Sequence, residues 1–267
     1  MTIAIISSYL EDKIIEHIFR GTAFSTPPAS VYLALFTDEA VQDKDNSGTE
    51  VSGNNYSRKI LTSAFDTPSE GATSSTSGIT MATPSASWGN IRYLGIFDAL
   101  TDGNLLFFTQ LATDKEVLSG KPVIFNAGDL DLDLGVAMSY YLANKILDHW
   151  LNAVEYNEET SIWMALYNTV PDLNNEGGSE LSGNGYSRIE VHGSGSWTAS
   201  SSGSTTNLED INFGTASGDW GTIRGASFTN LVTSGNILFV ANYPVPMTVY
   251  TGDSFIHEDE SIIVSVD

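Results

Sequence analysis

The chain has 267 residues and carries 33 Asp and Glu against 11 Lys and Arg, a formal net charge of −22. So acidic a surface repels phosphate backbones and anionic headgroups, which argues against nucleic acid and membrane insertion and favours cations or basic protein surfaces. Apolar residues at 41% suffice for a packed core, and the absence of cysteine excludes disulfides, thiolate zinc sites and thiol nucleophiles.

Met1-Thr2-Ile3-Ala4-Ile5-Ile6 has neither a basic flank nor a long apolar run, so no signal peptide is expected. No stretch reaches the roughly 18 apolar residues of a spanning helix. A helix is expected next. Ser8 precedes Glu11 by three positions, apolar residues recur at Ile6, Leu10, Ile14 and Ile18, and Gly21 offers a left-handed stop. Residues 31–37 form a β-prone apolar run, expected to be a strand covered on both faces. Residues 71–78 and 193–203 are rich in Ser, Thr and Gly and read as loops or frayed edges. Residues 91–98 and 105–111 flank Asp102-Gly103, a dipeptide that favours a type I′ hairpin. Leu130-Asp131-Leu132-Asp133-Leu134 alternates strictly, as a strand with one wet face does.

The pattern then starts again. Tyr9-Leu10 returns as Tyr141-Leu142, 132 residues on, each leading to a histidine, His17 and His149. Val31-Tyr32-Leu33-Ala34-Leu35-Phe36 returns as Ile162-Trp163-Met164-Ala165-Leu166-Tyr167. Glu50, Tyr56 and Arg58 return as Glu180, Tyr186 and Arg188 around a shared Ser-Gly-Asn turn. Trp88-Gly89 matches Trp220-Gly221, and Gly103-Asn104-Leu105 matches Gly235-Asn236-Ile237. Five blocks in one order define a duplication. The expected fold is mainly β: two tandem homologous β-sandwich domains, residues 1–135 and 136–267, each preceded by one N-terminal helix. A unit of about 130 residues buries enough surface to fold alone.

Chemistry is harder to find. Asp43-Lys44-Asp45-Asn46-Ser47-Gly48 resembles the start of a calcium loop, but its twelfth position is Asn54, and the second copy lacks the spacing. A solvated loop is the expected role of Asp43 and Asp45. His17 and His149 read as helix-end residues satisfying a carbonyl or a domain contact, while His192 and His257 occur in one copy each. No nucleophile elbow or phosphate loop occurs, and Gly193-Ser194-Gly195-Ser196 precedes no helical pattern. Trp88 and Trp220 suit a core anchor, with sugar stacking the alternative. Glu50 with Arg58, and Glu180 with Arg188, read as ion pairs across the turn, and Arg92 and Arg224 as structural cations. No catalytic, cofactor-binding or metal residue is assigned. The many carboxylates leave open a glycosidase pair, which needs two carboxyls about 5 to 9.5 Å apart in a groove.

Gly21-Thr22-Ala23, residues 31–37, Gly48-Thr49-Glu50-Val51-Ser52-Gly53, Tyr56-Ser57-Arg58, Gly95-Ile96-Phe97-Asp98-Ala99 and Gly103-Asn104-Leu105-Leu106 together resemble a family of tailed-bacteriophage virion structural proteins commonly labelled tail-fibre proteins. The resemblance covers the first copy. In the second, Ala226-Ser227-Phe228-Thr229-Asn230 and Glu258-Asp259-Glu260 depart from it. It implies a non-enzymatic virion component at the particle surface, tail fibre-like or a head decoration protein, made in the host cytoplasm. Such a component has other virion proteins as partners and forms a homo-oligomer, a trimer being one form. No long shaft or heptad region is present, which favours a compact module. A carbohydrate-binding adhesin for a host surface glycan is the alternative, and a glycan-degrading enzyme a third reading.

Overall fold

The computed structural model describes residues 5–38, 48–135 and 138–266. The first repeat comprises β1 (Ile5–Ile6), α1 (Ser8–Arg20), β2 (Val31–Phe36), β3 (Lys59–Leu61), β4 (Ala72–Ser74), β5 (Ile79–Thr80), β6 (Gly89–Phe97), β7 (Leu105–Val117), β8 (Ile124–Phe125) and β9 (Asp131–Asp133). The second comprises α2 (Tyr140–Leu151), β10 (Trp163–Thr169), β11 (Ser179–Glu180), β12 (Ile189–Glu190), β13 (Ser204–Thr206), β14 (Ile211–Thr215), β15 (Gly221–Thr229), β16 (Ile237–Val249), β17 (Ser254–His257) and β18 (Ile263–Ser265).

Each repeat builds one antiparallel five-stranded sheet. Its order is β1-β7-β6-β2-β3 in the first, and β11-β10-β15-β16 with β12 also on β10 in the second. Two short ribbons complete each layer pair, β4-β9 and β5-β8, matched by β13-β18 and β14-β17. Among the described residues no strand pairs across the repeats. The fold is mainly β, with one leading helix per repeat, as the patterning indicated. Strand β2 is buried at Val31 and throughout Leu33–Phe36, so both faces are covered. Leu130, Leu132 and Leu134 are buried while Asp131 and Asp133 are half-exposed, the alternation read from the sequence.

Several local readings change. Residues 72–74 and 204–206 pair as strands, because Thr73 and Thr205 face inward among apolar neighbours. The helix cap is Ser7, not Ser8: its Oγ accepts the Leu10 N–H at 3.2 Å and donates to the Leu105 carbonyl at 2.5 Å. Ser139 makes the same pair of bonds with Leu142 and Ile237. Asp102 and Gly103 both have positive φ, 53° and 73°, in the left-handed range. The connection nevertheless spans residues 98–104, because Phe97 pairs Leu105 and Asn104 donates to the Asp98 carboxylate. Strand β7 continues to Val117 through a bulge, in which residues 111–114 face one residue, Arg92.

The two units do not keep separate cores. Helix α1 packs on its own β7 and on β13 of the second repeat, and α2 packs on its own β16 and on β4 of the first. Phe19 of α1 lies 4.6 Å from Trp197 and 5.0 Å from Phe228 by ring centroid. Trp150 of α2 lies edge-on to Tyr9 and Phe24. The polar bonds repeat by the same rule. Asp12 Oδ1 accepts the Gly203 N–H at 2.8 Å, and Asn144, its counterpart, accepts the Gly71 N–H at 2.9 Å. Arg20 donates to the Trp197 carbonyl, and its counterpart Asn152 donates to the Asp66 carbonyl at 3.2 Å. Sequence length alone suggested units able to fold alone; the exchanged helices instead give one continuous core.

The helix ends expose a defect. Gly21 closes α1 in the left-handed region at φ 67°, but the matching residue is Ala153 at φ 56°. The Val154 N–H still bonds the Asp148 carbonyl, as Thr22 bonds Glu16, so the turn is retained against its side chain. Ala153→Gly is expected to stabilise the protein by about 0.5–1 kcal/mol, and Gly21→Ala to destabilise it by at least as much. Urea denaturation of the two variants measures both signs.

Candidate functional site

The most elaborate polar cluster occurs twice. Glu50 bridges two turns: its Oε1 accepts from Tyr56 Oη at 2.8 Å, and its Oε2 accepts from Arg58 at 2.8 Å. The same arginine donates to the carbonyls of Ala99 and Asp102 and lies 3.6 Å above the Phe97 ring. Tyr56 Oη in turn accepts the Leu35 N–H at 3.0 Å. Glu180, Tyr186 and Arg188 reproduce the arrangement, with Arg188 donating to Leu231 and Ser234. Burial beside a carboxylate pushes both tyrosine hydroxyls well above their ordinary range, so neither serves as a base. These bonds join a hairpin tip to the sheet. These are the expected ion pairs, and tyrosine is the member that residue spacing left unnoticed. Arg92 pairs with Asp114 at 3.0 Å in the bulge. Arg224 is exposed and forms no ion pair with a described residue.

The histidines fall at the junction of the repeats. His17 stacks on Phe24 with centroids 3.8 Å apart, and Phe24 lies 4.8 Å from His149. Nδ1 of His17 accepts the Phe24 N–H, and Nδ1 of His149 accepts the Tyr156 N–H, each at 3.2 Å. A backbone N–H only donates, so Nδ1 of His149 accepts and its proton sits on Nε2, which donates a hydrogen bond to the Ser25 carbonyl across the junction at 3.2 Å. Nδ1 of His17 also lies 3.3 Å from the Thr22 carbonyl, and its Nε2 is buried without a hydrogen-bond partner. Burial pushes His17 down to about 4, and His149 downward as well. They make the domain contact expected of them. His192 lies against Gly21, and Nε2 of His257 lies 2.7 Å from the Tyr243 hydroxyl.

Trp88 and Trp220 are core anchors, each donating its ring N–H to a turn carbonyl, Asn54 or Asn184. Asp43 and Asp45 lie outside the described residues. Among the described residues no group of three His, Asp or Glu side chains is placed to hold a metal ion. Among the described residues no helix is long and apolar enough to cross a membrane.

Two grooves remain. One, about 380 Å³, lies where the repeats meet, between Ser69 and Glu70 on one side and Tyr140, Tyr141 and Asn144 on the other. The second, about 460 Å³, opens on the second repeat beside Ala226, Ala241, Pro244 and Ile263. Ala226 and Ala241 line it where the first repeat has the larger Leu94 and Thr109. Aligning the copies residue by residue at the 132-residue spacing exposes that loss of volume, whereas block matching passes over it.

Both repeats match the family of the podophage GP4 fiber I protein gp80, over residues 5–133 and 137–265. The chain belongs to this family. No curated protein matches the chain. This gp80 family is one of phage fibre proteins, so the duplicated unit is a virion structural module. Its twofold occurrence here also shows that the second copy, despite its altered surface, retains the family pattern.

Two measurements check the roles assigned above. Arg58→Lys keeps the charge but loses the fork that reaches Glu50 and two carbonyls, and is expected to cost about 2–3 kcal/mol on urea denaturation. The histidine rings give a pH dependence. Their folded pKa lies below the unfolded value near 6.5. Stability is therefore full above that value and falls as pH drops toward about 4. In this window the unfolded chain binds a proton at His17 that the folded chain excludes, at about 1.4 kcal/mol per pH unit at most. Proton NMR in high salt, which screens the acidic surface, should show the His17 ring still neutral at pH 5; a midpoint near 6.5 contradicts the burial argument.

Proposed function

We propose that the protein is a non-enzymatic component of a tailed-phage virion, exposed at the particle surface as a fibre-like or head-decorating module and acting through protein–protein assembly. The observation that carries this reading is that the polar clusters common to both repeats serve to hold the fold together. The Glu-Tyr-Arg triads tie hairpins to sheets, the histidines join the repeats, and the tryptophans anchor turns. The exchanges of charged for uncharged residues on β16 and β18 lie on the outside, where partners meet them. Residues 1–135 and 136–267 serve as the two halves of one rigid module, and a net charge of −22 keeps it dispersed until it docks.

Host-glycan binding is the second reading. The groove at the junction supports it, because Tyr140, Tyr141, Asn144, Asn174, Asn175 and Asn236 offer ring faces and amides of the kind that hold sugars.

Antibody raised against the recombinant chain and detected by gold labelling is expected to decorate purified particles. Label over heads assigns decoration, and label at the tail assigns a fibre. Unlabelled particles that contain no such chain by mass spectrometry refute the virion reading. Binding in a glycan array, abolished by Tyr141→Ala, is the corresponding check on the second reading.

A further inference from the structure

The bulged hairpin and the last ribbon carry opposite surfaces in the two repeats. In the first, the outer positions are Thr113, Asp114, Lys115, Glu116, Asp131 and Asp133. Their counterparts 132 residues on are Val245, Pro246, Met247, Thr248, Ile263 and Ser265. Five charged side chains have become none. The backbone is unchanged: Ile91 pairs Lys115 as Ile223 pairs Met247, and Ser74 pairs Asp131 as Thr206 pairs Ile263. The new side chains are not absorbed by the fold, for Val245 is 73% exposed and Ile263 69%. Beside them the 460 Å³ groove opens, with Pro244 and Ile263 on its lip.

We propose that this face of the second repeat is the contact through which two copies of the chain associate. Charge selects the occupant. Two chains of net charge −22 repel one another over most of their surface, and carboxylates facing carboxylates oppose contact. At these outer positions the second repeat carries no charge, so a second copy can approach them without burying a carboxylate. Shape agrees with charge. Ile263 projects from a groove that Ala226 and Ala241 also line, and Val245 follows Pro244 of the same lining in sequence, so a twofold arrangement seats the projections of each copy in the groove of the other. Pro244 and Pro246 withhold backbone donors along this edge of β16, so contact is made by side chains and not by extension of the sheet. The acidic turn Glu258-Asp259-Glu260 borders the ribbon and supplies residual repulsion that salt screens.

The proposal rests on the assembly reading above and names its partner. Light scattering of the recombinant full chain is expected to give at least twice the monomer mass of 28.7 kDa. Association should strengthen between about 0.05 and 0.5 M salt, as screening predicts. The double variant Val245→Thr/Ile263→Asp installs the residues that the first repeat already carries at those places, so the fold accepts them. It is expected to weaken association by about tenfold or more, since each contact then buries a carboxylate. Thr113→Asp, on the corresponding face of the first repeat, is expected to leave the mass unchanged. A wild-type chain that stays monomeric at high salt overturns the contact, as does an oligomer indifferent to the double variant. A monomeric chain that still labels particles refutes this contact and leaves the virion role standing; an associating chain absent from particles does the reverse.

Discussion

The rest of the structure depends on the exchange of helices between the repeats. Helix α1 buries Leu10, Ile14, Ile15, Ile18 and Phe19, more apolar surface than one sheet edge can cover. Its own β7 takes one side and β13 of the other repeat takes the second, while α2 is covered in the same way by β16 and β4. The contact is therefore isologous within a single chain: Asp12 meets Gly203 and Asn144 meets Gly71. Such a contact fixes what stands on each side of it. A Cβ at Gly203 would lie 2.7 Å from Cβ of Glu11, and that glycine also holds φ at 69°, so close approach and backbone conformation both require glycine there.

Covalent linkage loosens the symmetry that a true dimer enforces. Glu16 accepts the Ser200 N–H at 2.8 Å, yet the residue matching Ser200 is Pro68, which has no N–H to offer Asp148. Asp148 instead accepts from Asn152, one turn along its own helix. Arg20 reaches further across the junction than Asn152 does. Two chains related by symmetry carry every such change twice, whereas a tandem repeat tests each half separately, with the other half holding the core together.

Much of this architecture was legible in the residues, and the reasons are local. The duplication is visible because Glu50, Tyr56 and Arg58 each make several bonds that no similar residue reproduces. Strand β2 and the ribbon at Leu132 follow from burial on two faces or one, which patterning encodes directly. The exchange of helices was not legible. A helix stripe records that a face is buried without recording what buries it, and Leu10 reads the same against either repeat. Residues 72–74 escaped for a related reason: Ala-Thr-Ser has little strand preference, and its pairing with residues 131–133 is imposed by tertiary contact. The histidines were placed at a domain contact by their position, but their neutral state comes from the Phe24 and Tyr156 amides seven residues beyond. The groove of the second repeat went unread because it is a difference between copies, while repeat detection looks for what they share.

Those differences carry the functional argument. Divergence inside this duplicated protein spares the helix caps and the triads and touches the junction at a few positions such as Pro68 and Asn152. It is free on outer surfaces, where the first repeat keeps Asp114, Glu116, Asp131 and Asp133 and the second has lost all four. Random drift on a solvated strand exchanges one polar residue for another, because an exposed valine or isoleucine gains nothing from water. Val245, Met247 and Ile263 arising together beside a groove is the pattern of a surface that meets another molecule. A symmetric dimer of single repeats would show that face twice, and an acidic face nowhere. In one covalent chain the two repeats diverge separately, so an apolar face on the second stands beside an acidic one on the first.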